Sequence, residues 1–222
     1  MSHTHRILAV DVCGTLYDAN TTAGLVMFHH SRRANRWRFA VLNVLTHRKS
    51  PFRVVSIAVS KLTGFDLHRT AVLLSLRGER VTSLEASAQR YVEDHLPRKA
   101  IPQTLARVDA MRAEGWEPVL VSNAISPVVS QIADKMGVRS VASQPKVKAG
   151  RLTGRLDRDL TGHKRRALEV FLNRSLRDAE FAVITDNRTD RDLVASADPA
   201  ILIAHGKPRR WMKGFDAEII CP

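Results

Sequence analysis

Cysteine is almost missing from this chain: of 222 residues, only Cys13 and Cys221 are cysteines. Two thiols are too few for a disulfide framework and have no metal-ligand spacing, which argues against a stapled secreted scaffold and against a zinc module. Long apolar runs are missing too. No stretch approaches the ~18 residues that cross a bilayer, and the polar opening Met1-Ser2-His3-Thr4-His5-Arg6 leads into the first apolar segment without a signal-peptide pattern. A cytoplasmic location is the resulting expectation. Carboxylates are scarce as well, 22 Asp and Glu against 35 Lys and Arg, for a formal net charge of +13. No internal repeat or low-complexity segment is evident.

What is present suffices for a sizeable core, because 44% of the residues are hydrophobic and the length suits one large domain or a core with a smaller insertion. The charge is unevenly placed. Residues 19–100 hold 14 Lys and Arg against 5 Asp and Glu, a balance of +9 that leaves +4 for everything else. Its densest part, Arg32, Arg33, Arg36, Arg38, Arg48, Lys49 and Arg53, brackets the mostly apolar residues 39–45. Such a field attracts an anionic partner: a polyanionic substrate, an anionic membrane surface or, less favoured, nucleic acid. A solvated basic helical face with no dedicated partner is the alternative.

The order of elements predicts an α/β protein. Residues 1–18 read as strand and turn, and the next eighty show helical spacing, as in Leu67-Ala71-Leu74 and Leu84-Ala88-Tyr91-Val92. This helical insertion is punctuated at Pro51, the Gly64 region and Gly78 into about four helices. Pro97 and Pro102 mark the return to helices alternating with short strands: helix 103–114, strand 118–121, helix 127–136, strand 140–142, a hairpin-like pair around Gly150 and Gly154, helix 163–173, strand 181–185, helix 190–195 and strand 200–204. That alternation predicts a doubly wound, mostly parallel sheet covered on both faces.

Chemistry is expected to start at Asp11. The run Ile7-Leu8-Ala9-Val10 suits a buried central strand, and Gly14 and Thr15 turn the chain just beyond the aspartate, at the carboxyl end where open α/β sheets gather ligands. Asp11 as a mere cap of the next segment is the alternative. Two further strand ends carry polar groups: Ser122-Asn123, and Thr185-Asp186-Asn187-Arg188-Thr189-Asp190. Three such ends in one sheet converge on one crevice, and their carboxylates would repel without a hard cation, which makes Mg²⁺ the natural partner. Lys164, opening a helix after Thr161-Gly162, is placed to neutralise a phosphoryl group; Lys146 and Lys148, read as lying in a loop, compete with it. Ser122 as a helix cap, Asp190 as an N-cap or supporting group, and Asp18 as a local hydrogen-bonding group remain open. His29, His30 and His163 show no metal spacing and read as surface or cleft residues.

These pieces resemble, in order and over nearly the whole chain, the motifs of the haloacid dehalogenase superfamily, whose first motif is usually Asp-x-Asp-Gly-Thr. The hairpin Gly150-Arg151-Leu152-Thr153-Gly154-Arg155-Leu156 and the insertion after the first motif are similar to its phosphoserine phosphatase-like branch. The resemblance implies a Rossmann-like core over residues 1–18 and 101–222 with a helical cap over 19–100. It makes Asp11 the covalent nucleophile, Ser122 the phosphate-binding hydroxyl and Lys164 the motif lysine. Gly14, Thr15 and Asn123 join the substrate-binding set. The magnesium set is Asp11, Asp186, Asp190 and, through its backbone carbonyl, Cys13.

Cys13 departs from the family, whose aspartate here protonates the leaving oxygen and activates water. A thiol titrating near ~8.5 is a weak substitute, and general acid–base help is worth ~10²–10⁴ in rate. Three readings follow. The first is a Mg²⁺-dependent phosphatase acting on an anionic phosphorylated substrate through an aspartyl phosphate. The second is a fold relative that has lost most catalysis and binds an anion through its basic cap, peripherally at a membrane in one variant. The third is a metal-independent 2-haloacid dehalogenase, a branch that also carries a non-acidic residue at this position and Ser-Asn in the second motif.

Overall fold

The computed structural model describes residues 6–32, 37–46, 50–52, 55–56 and 66–222. Of the positions singled out above, Met1–His5, Arg33, Arg36, Arg48, Lys49, Arg53 and Gly64 lie outside them. Seven strands form one sheet in the order β4-β3-β2-β1-β5-β6-β7. They are β1 (Arg6–Val10), β2 (Glu117–Ile125), β3 (Arg139–Lys148), β4 (Arg151–Arg158), β5 (Glu180–Thr185), β6 (Ala200–Ile203) and β7 (Glu218–Ile220). Of the six pairs these strands make, β3–β4 is antiparallel and the other five are parallel. The sheet is therefore the expected doubly wound, mostly parallel one.

The apolar run before Asp11 explains why β1 is central. Its side chains alternate between faces: Leu8 and Val10 enter one apolar cluster, Ile7 and Ala9 the other, and none of the four is more than 3% exposed. A strand apolar on both faces is stable only between two strands and under two layers. Val10 pairs accordingly with Leu120 of β2 and Ile184 of β5.

Helices α1 (Thr21–Ser31), α2 (Trp37–Thr46), α3 (Leu67–Ser75) and α4 (Val81–Asp94) fall between β1 and β2. Leu25, Val26, Leu84 and Tyr91 from these helices pack into the same cluster as Leu8, Val10 and Leu120. The described residues also form α5 (Pro102–Ala113), α6 (Ser126–Met136), α7 (Lys164–Leu172) and the single turn α8 (Arg191–Val194). Proline stands in the first turn of α5 and of α6, where a missing N–H costs nothing, and Gly137 closes α6 at φ 62°.

Several expectations need correction. Lys146 and Lys148 are not in a loop: β3 runs on through both and turns at Ala149-Gly150 into β4, while Gly154 sits inside β4. Helix 190–195 is a 3₁₀ turn at Arg188–Asp190 followed by the four residues of α8. The edge strand β7 was not expected, since three residues give too little alternation to read.

Candidate active site

Asp11 continues β1 by one residue, its N–H donating to Ile184 O at 3.0 Å, so the carboxylate emerges at the carboxyl end of the central strand. The chain then turns sharply. Gly14, at φ 74°, donates to Tyr17 O at 2.8 Å, and a Cβ at this position would lie 2.7 Å from the Asp186 carboxyl carbon. Glycine is required there twice, by its backbone angle and by the approach of that carboxylate. Thr15 fixes the two loops reciprocally: its hydroxyl donates to Asp186 Oδ1 at 3.2 Å and accepts from Asp186 N at 3.0 Å.

Lys164, 2% exposed, reaches from the first residue of α7 to both acidic loops. Its Nζ lies 2.7 Å from Asp11 Oδ1 and 2.7 Å from Asp190 Oδ2. Thr185 Oγ1 donates to the same Asp190 oxygen at 2.8 Å. Asp190 is the N-cap residue of α8 but makes no side-chain cap bond; its carboxylate is turned inward to hold the lysine. Ser122 is likewise no helix cap. It is buried within β2, four residues ahead of α6, and its Oγ accepts from Ala124 N at 3.2 Å.

The electrostatics follow from burial. Desolvation pushes the Asp11 carboxyl up to about 6, against the pull of Lys164, with Asp190 and Asp186 adding repulsion. Burial works against the Lys164 ammonium, but Asp11 and Asp190 outweigh it and raise its pKa, so the lysine stays charged. Asp186 is raised by burial, an effect that the hydrogen bond from Thr15 and the nearby His205 oppose. Cys13 Sγ lies 3.0 Å from Thr21 Oγ1 and accepts weakly from Thr21 N at 3.5 Å. Burial, then the Asp11 charge, raises the thiol pKa further.

An Mg²⁺ ion is bound through one or two carboxylates and otherwise keeps its waters. Asp11 Oδ2 is buried and has no hydrogen-bond partner, which is costly for a carboxylate oxygen unless something else meets it. With Asp186 beside it, the residues present fit a hard cation. Asp190 Oδ2 accepts from Lys164 and Thr185, and its Oδ1 only weakly from Thr189 Oγ1 at 3.4 Å. Among the described residues, the one group of three with ligand atoms within 4.8 Å of one another lies elsewhere, at His29, His30 and Glu79. This corrects the surface reading of His29 and His30. Both are 1% exposed, hydrogen-bonded to Ser87 and Ser75, and Glu79 is met by the Arg38 guanidinium at 3.0 Å. A positive charge is thus already supplied there.

A cavity of about 940 Å³ opens above the chemistry. Cys13, Gly14, Asn123 and Asp186 line it from the sheet, while Asp11, Ser122 and Lys164 are buried behind that floor. Asp18 is in its wall. Asn123 Oδ1 is buried without a hydrogen-bond partner. Sequence reasoning missed Arg69, from the first turn of α3. It donates to both Asp159 oxygens at 2.9 Å, to Thr161 Oγ1 at 2.6 Å and to Asn123 O at 2.7 Å. It also missed Asp66, His68, His205 and Arg209, which share the cavity. No spacing signal could have found them, since Asp66 and His68 come from the insertion and His205 and Arg209 from beyond β6, and they meet only in the folded chain.

A family model described as haloacid dehalogenase-like hydrolase matches residues 8–195. No curated protein matches the chain. Among solved structures, a protein with unknown function from Bordetella pertussis Tohama I is 19% identical, with a TM-score of 0.73 over 97% of this chain and 98% of that one. A phospho-aspartyl intermediate analogue of phosphoserine phosphatase is 15% identical, with a TM-score of 0.63 over 97% and 93%. A cytosolic 5'-nucleotidase IIIB bound to cytidine is 14% identical, with a TM-score of 0.65 over 98% and 80%.

Proposed function

We propose, from the premise that this chain belongs to the haloacid dehalogenase-like hydrolase family, that it is a Mg²⁺-dependent phosphatase with an altered acid–base position. The observation that carries this reading is the buried Lys164 ammonium 2.7 Å from both Asp11 and Asp190, beside an Asp11 oxygen with no hydrogen-bond partner. Residues 1–18 and 101–222 are read as the catalytic core and 19–100 as the cap.

Asp11 supplies the attacking carboxylate oxygen. Its lone pair forms a bond to phosphorus as the bond to the ester oxygen breaks and that oxygen takes a proton from solvent; water then attacks the phosphorus, gives a proton to solvent, releases phosphate and restores the carboxylate. Lys164 keeps Asp11 ionised and places positive charge beside the transferring group, with Asp190 and Thr185 as its positioning residues. Ser122 and the loop of Gly14 and Thr15 cradle the phosphoryl oxygens, and Asn123 borders the leaving group. Asp11, Asp186 and the Cys13 carbonyl would hold Mg²⁺, which supplies charge neutralisation when bound. The substrate is an anionic phosphorylated small molecule.

Cys13 supports a second reading, an anion-binding protein with little turnover, because burial and the Asp11 charge keep its thiol protonated. The exposed Trp37, Val41 and Val44 along one side of α2, next to the basic stretch, support contact with an anionic membrane surface; sedimentation with anionic vesicles at low salt tests this. The deciding experiment is a phosphate-release panel with and without Mg²⁺, run beside chloride release from 2-haloacids and repeated with Asp11→Asn. Mg²⁺-dependent phosphate release lost in the variant is the expected result. Metal-free chloride release would replace this reading with the dehalogenase one, and no activity of either kind would leave the binding protein.

A further inference from the structure

The catalysis proposed above leaves a second cavity unused. It measures about 680 Å³ and is lined by Arg188, Arg191, Arg209, Arg210, Trp211 and Gly214. The first two arginines follow the exit of β5, and Arg209 and Arg210 follow the exit of β6. Both exits lie at the carboxyl edge of the sheet. Arg209 also lines the active-site cavity, so the two spaces adjoin.

None of the four guanidiniums takes part in an ion pair with a described residue; Arg191 lies 5.8 Å over the Phe215 ring. The segment from His205 to Lys213 contains no carboxylate, and Asp192, beside Arg191, turns Oδ1 back to Leu193 N at 2.9 Å. Trp211 Nε1 is buried without a hydrogen-bond partner. Arg209 also faces the Asp186 carboxylate and favours its charged form, but the clustered like charges still repel and focus their field outward, an arrangement that a multiply charged anion relieves. Guanidinium forks match phosphate oxygens two at a time.

We propose that this cavity is a second phosphoryl subsite, which makes the preferred ligand a molecule carrying two phosphoryl groups, one at Asp11 and one among these arginines. This inference rests on the phosphatase reading only for the role of the first group. Free inorganic phosphate is the other source of the same chemistry.

The test is a calorimetric titration of Asp11→Asn protein, with Mg²⁺, against α,ω-alkanediol bisphosphates of increasing length and against an alkyl monophosphate. Wild-type protein with chelator serves if that variant fails to fold. At one span the bisphosphate should bind at least tenfold tighter, since the second group then binds at high effective concentration. Arg191→Gln/Arg210→Gln should remove the gain, while Arg90→Gln/Arg98→Gln, an equal loss of charge elsewhere, should keep it. Two inorganic phosphates per chain, reduced to one in the Arg191/Arg210 pair, would support the subsite with free phosphate as its occupant. One phosphate per chain and no gain at any length would overturn it, as would equal loss in both variant pairs. Phosphate release from monoesters with one phosphate per chain and no gain refutes the subsite alone; the gain without phosphate release from any ester refutes the phosphatase reading alone.

Discussion

Replacing Cys13 by aspartate should raise phosphate release, and the structure sets how much and under what conditions. The side chain at 13 points at the first turn of α1, with Thr21 Oγ1 at 3.0 Å and Thr21 N at 3.5 Å. A carboxylate there gains two donors and the positive end of the helix, worth roughly 0.3–1 kcal/mol. Against it stands the charge of Asp11, which already disfavours the Cys13 thiolate; for scale, two unit charges ~4 Å apart repel by about 4 kcal/mol at an effective dielectric of about 20. The repulsion is larger, so the gain should appear only when Mg²⁺, held by Asp11 and Asp186, offsets the Asp11 charge. The restored acid–base help has a ceiling of ~10²–10⁴; after the residual repulsion, about tenfold or more is expected, or ~1.4 kcal/mol of barrier. The assay is initial-rate phosphate release from p-nitrophenyl phosphate and from a simple alkyl phosphate, with the alkyl ester gaining at least as much because its leaving oxygen needs the proton more. A folded variant that binds Mg²⁺ normally yet gains on neither ester would refute the assignment of position 13 to proton transfer.

Asp186→Ala should weaken Mg²⁺ binding at least tenfold by calorimetric titration, and unchanged affinity would remove Asp186 from the metal site. Lys164→Ala should abolish vanadate binding and Lys148→Ala should leave it intact, because Lys148 lies on β3, away from Asp11; the reverse result would overturn the lysine assignment. Since burial pushes Asp11 up to about 6 and the nucleophile must be ionised, phosphate release should fall as pH drops, with a midpoint at or below about 6 because a bound cation favours the charged form. An acid limb centred above 7 would point to another group. Arg69→Ala should lower kcat/KM several-fold through loss of its bonds to Asn123 O and Thr161; an unchanged value would confine Arg69 to packing.

What could be read from the sequence was whatever local pattern dictates. Ile7-Leu8-Ala9-Val10 announced a strand buried on two faces, and the polar ends of β1, β2 and β5 announced a shared crevice, because period and placement are properties of short segments. The direction of the Asp190 carboxylate was not legible. An aspartate beside a 3₁₀ turn can face solvent, a cation or a lysine, and only the arrival of Lys164 from 26 residues away decides it. The burial of His29 and His30 was hidden for the same reason: neighbouring histidines on a helix look exposed until Ser75, Ser87 and Glu79 arrive from other elements. The arginines at 188, 191, 209 and 210 were diluted in a count that spread the remaining charge over the whole core.

The sharing of one apolar cluster between the insertion and the sheet bears on how this enzyme type can be re-engineered. Fully burying a side chain such as Leu25, Val26, Leu84 or Tyr91 contributes roughly 1.5–3 kcal/mol, so stripping these four from Leu8 and Leu120 would cost about 6–12 kcal/mol, comparable to the ~5–15 kcal/mol that holds a typical domain together. An insertion anchored in this way is not a cassette. Chimeras that exchange residues 19–100 for those of a relative should fail to fold unless the sheet's facing residues are exchanged with them, and specificity should be easier to alter by changing side chains around Arg69 than by transplanting the segment that carries it.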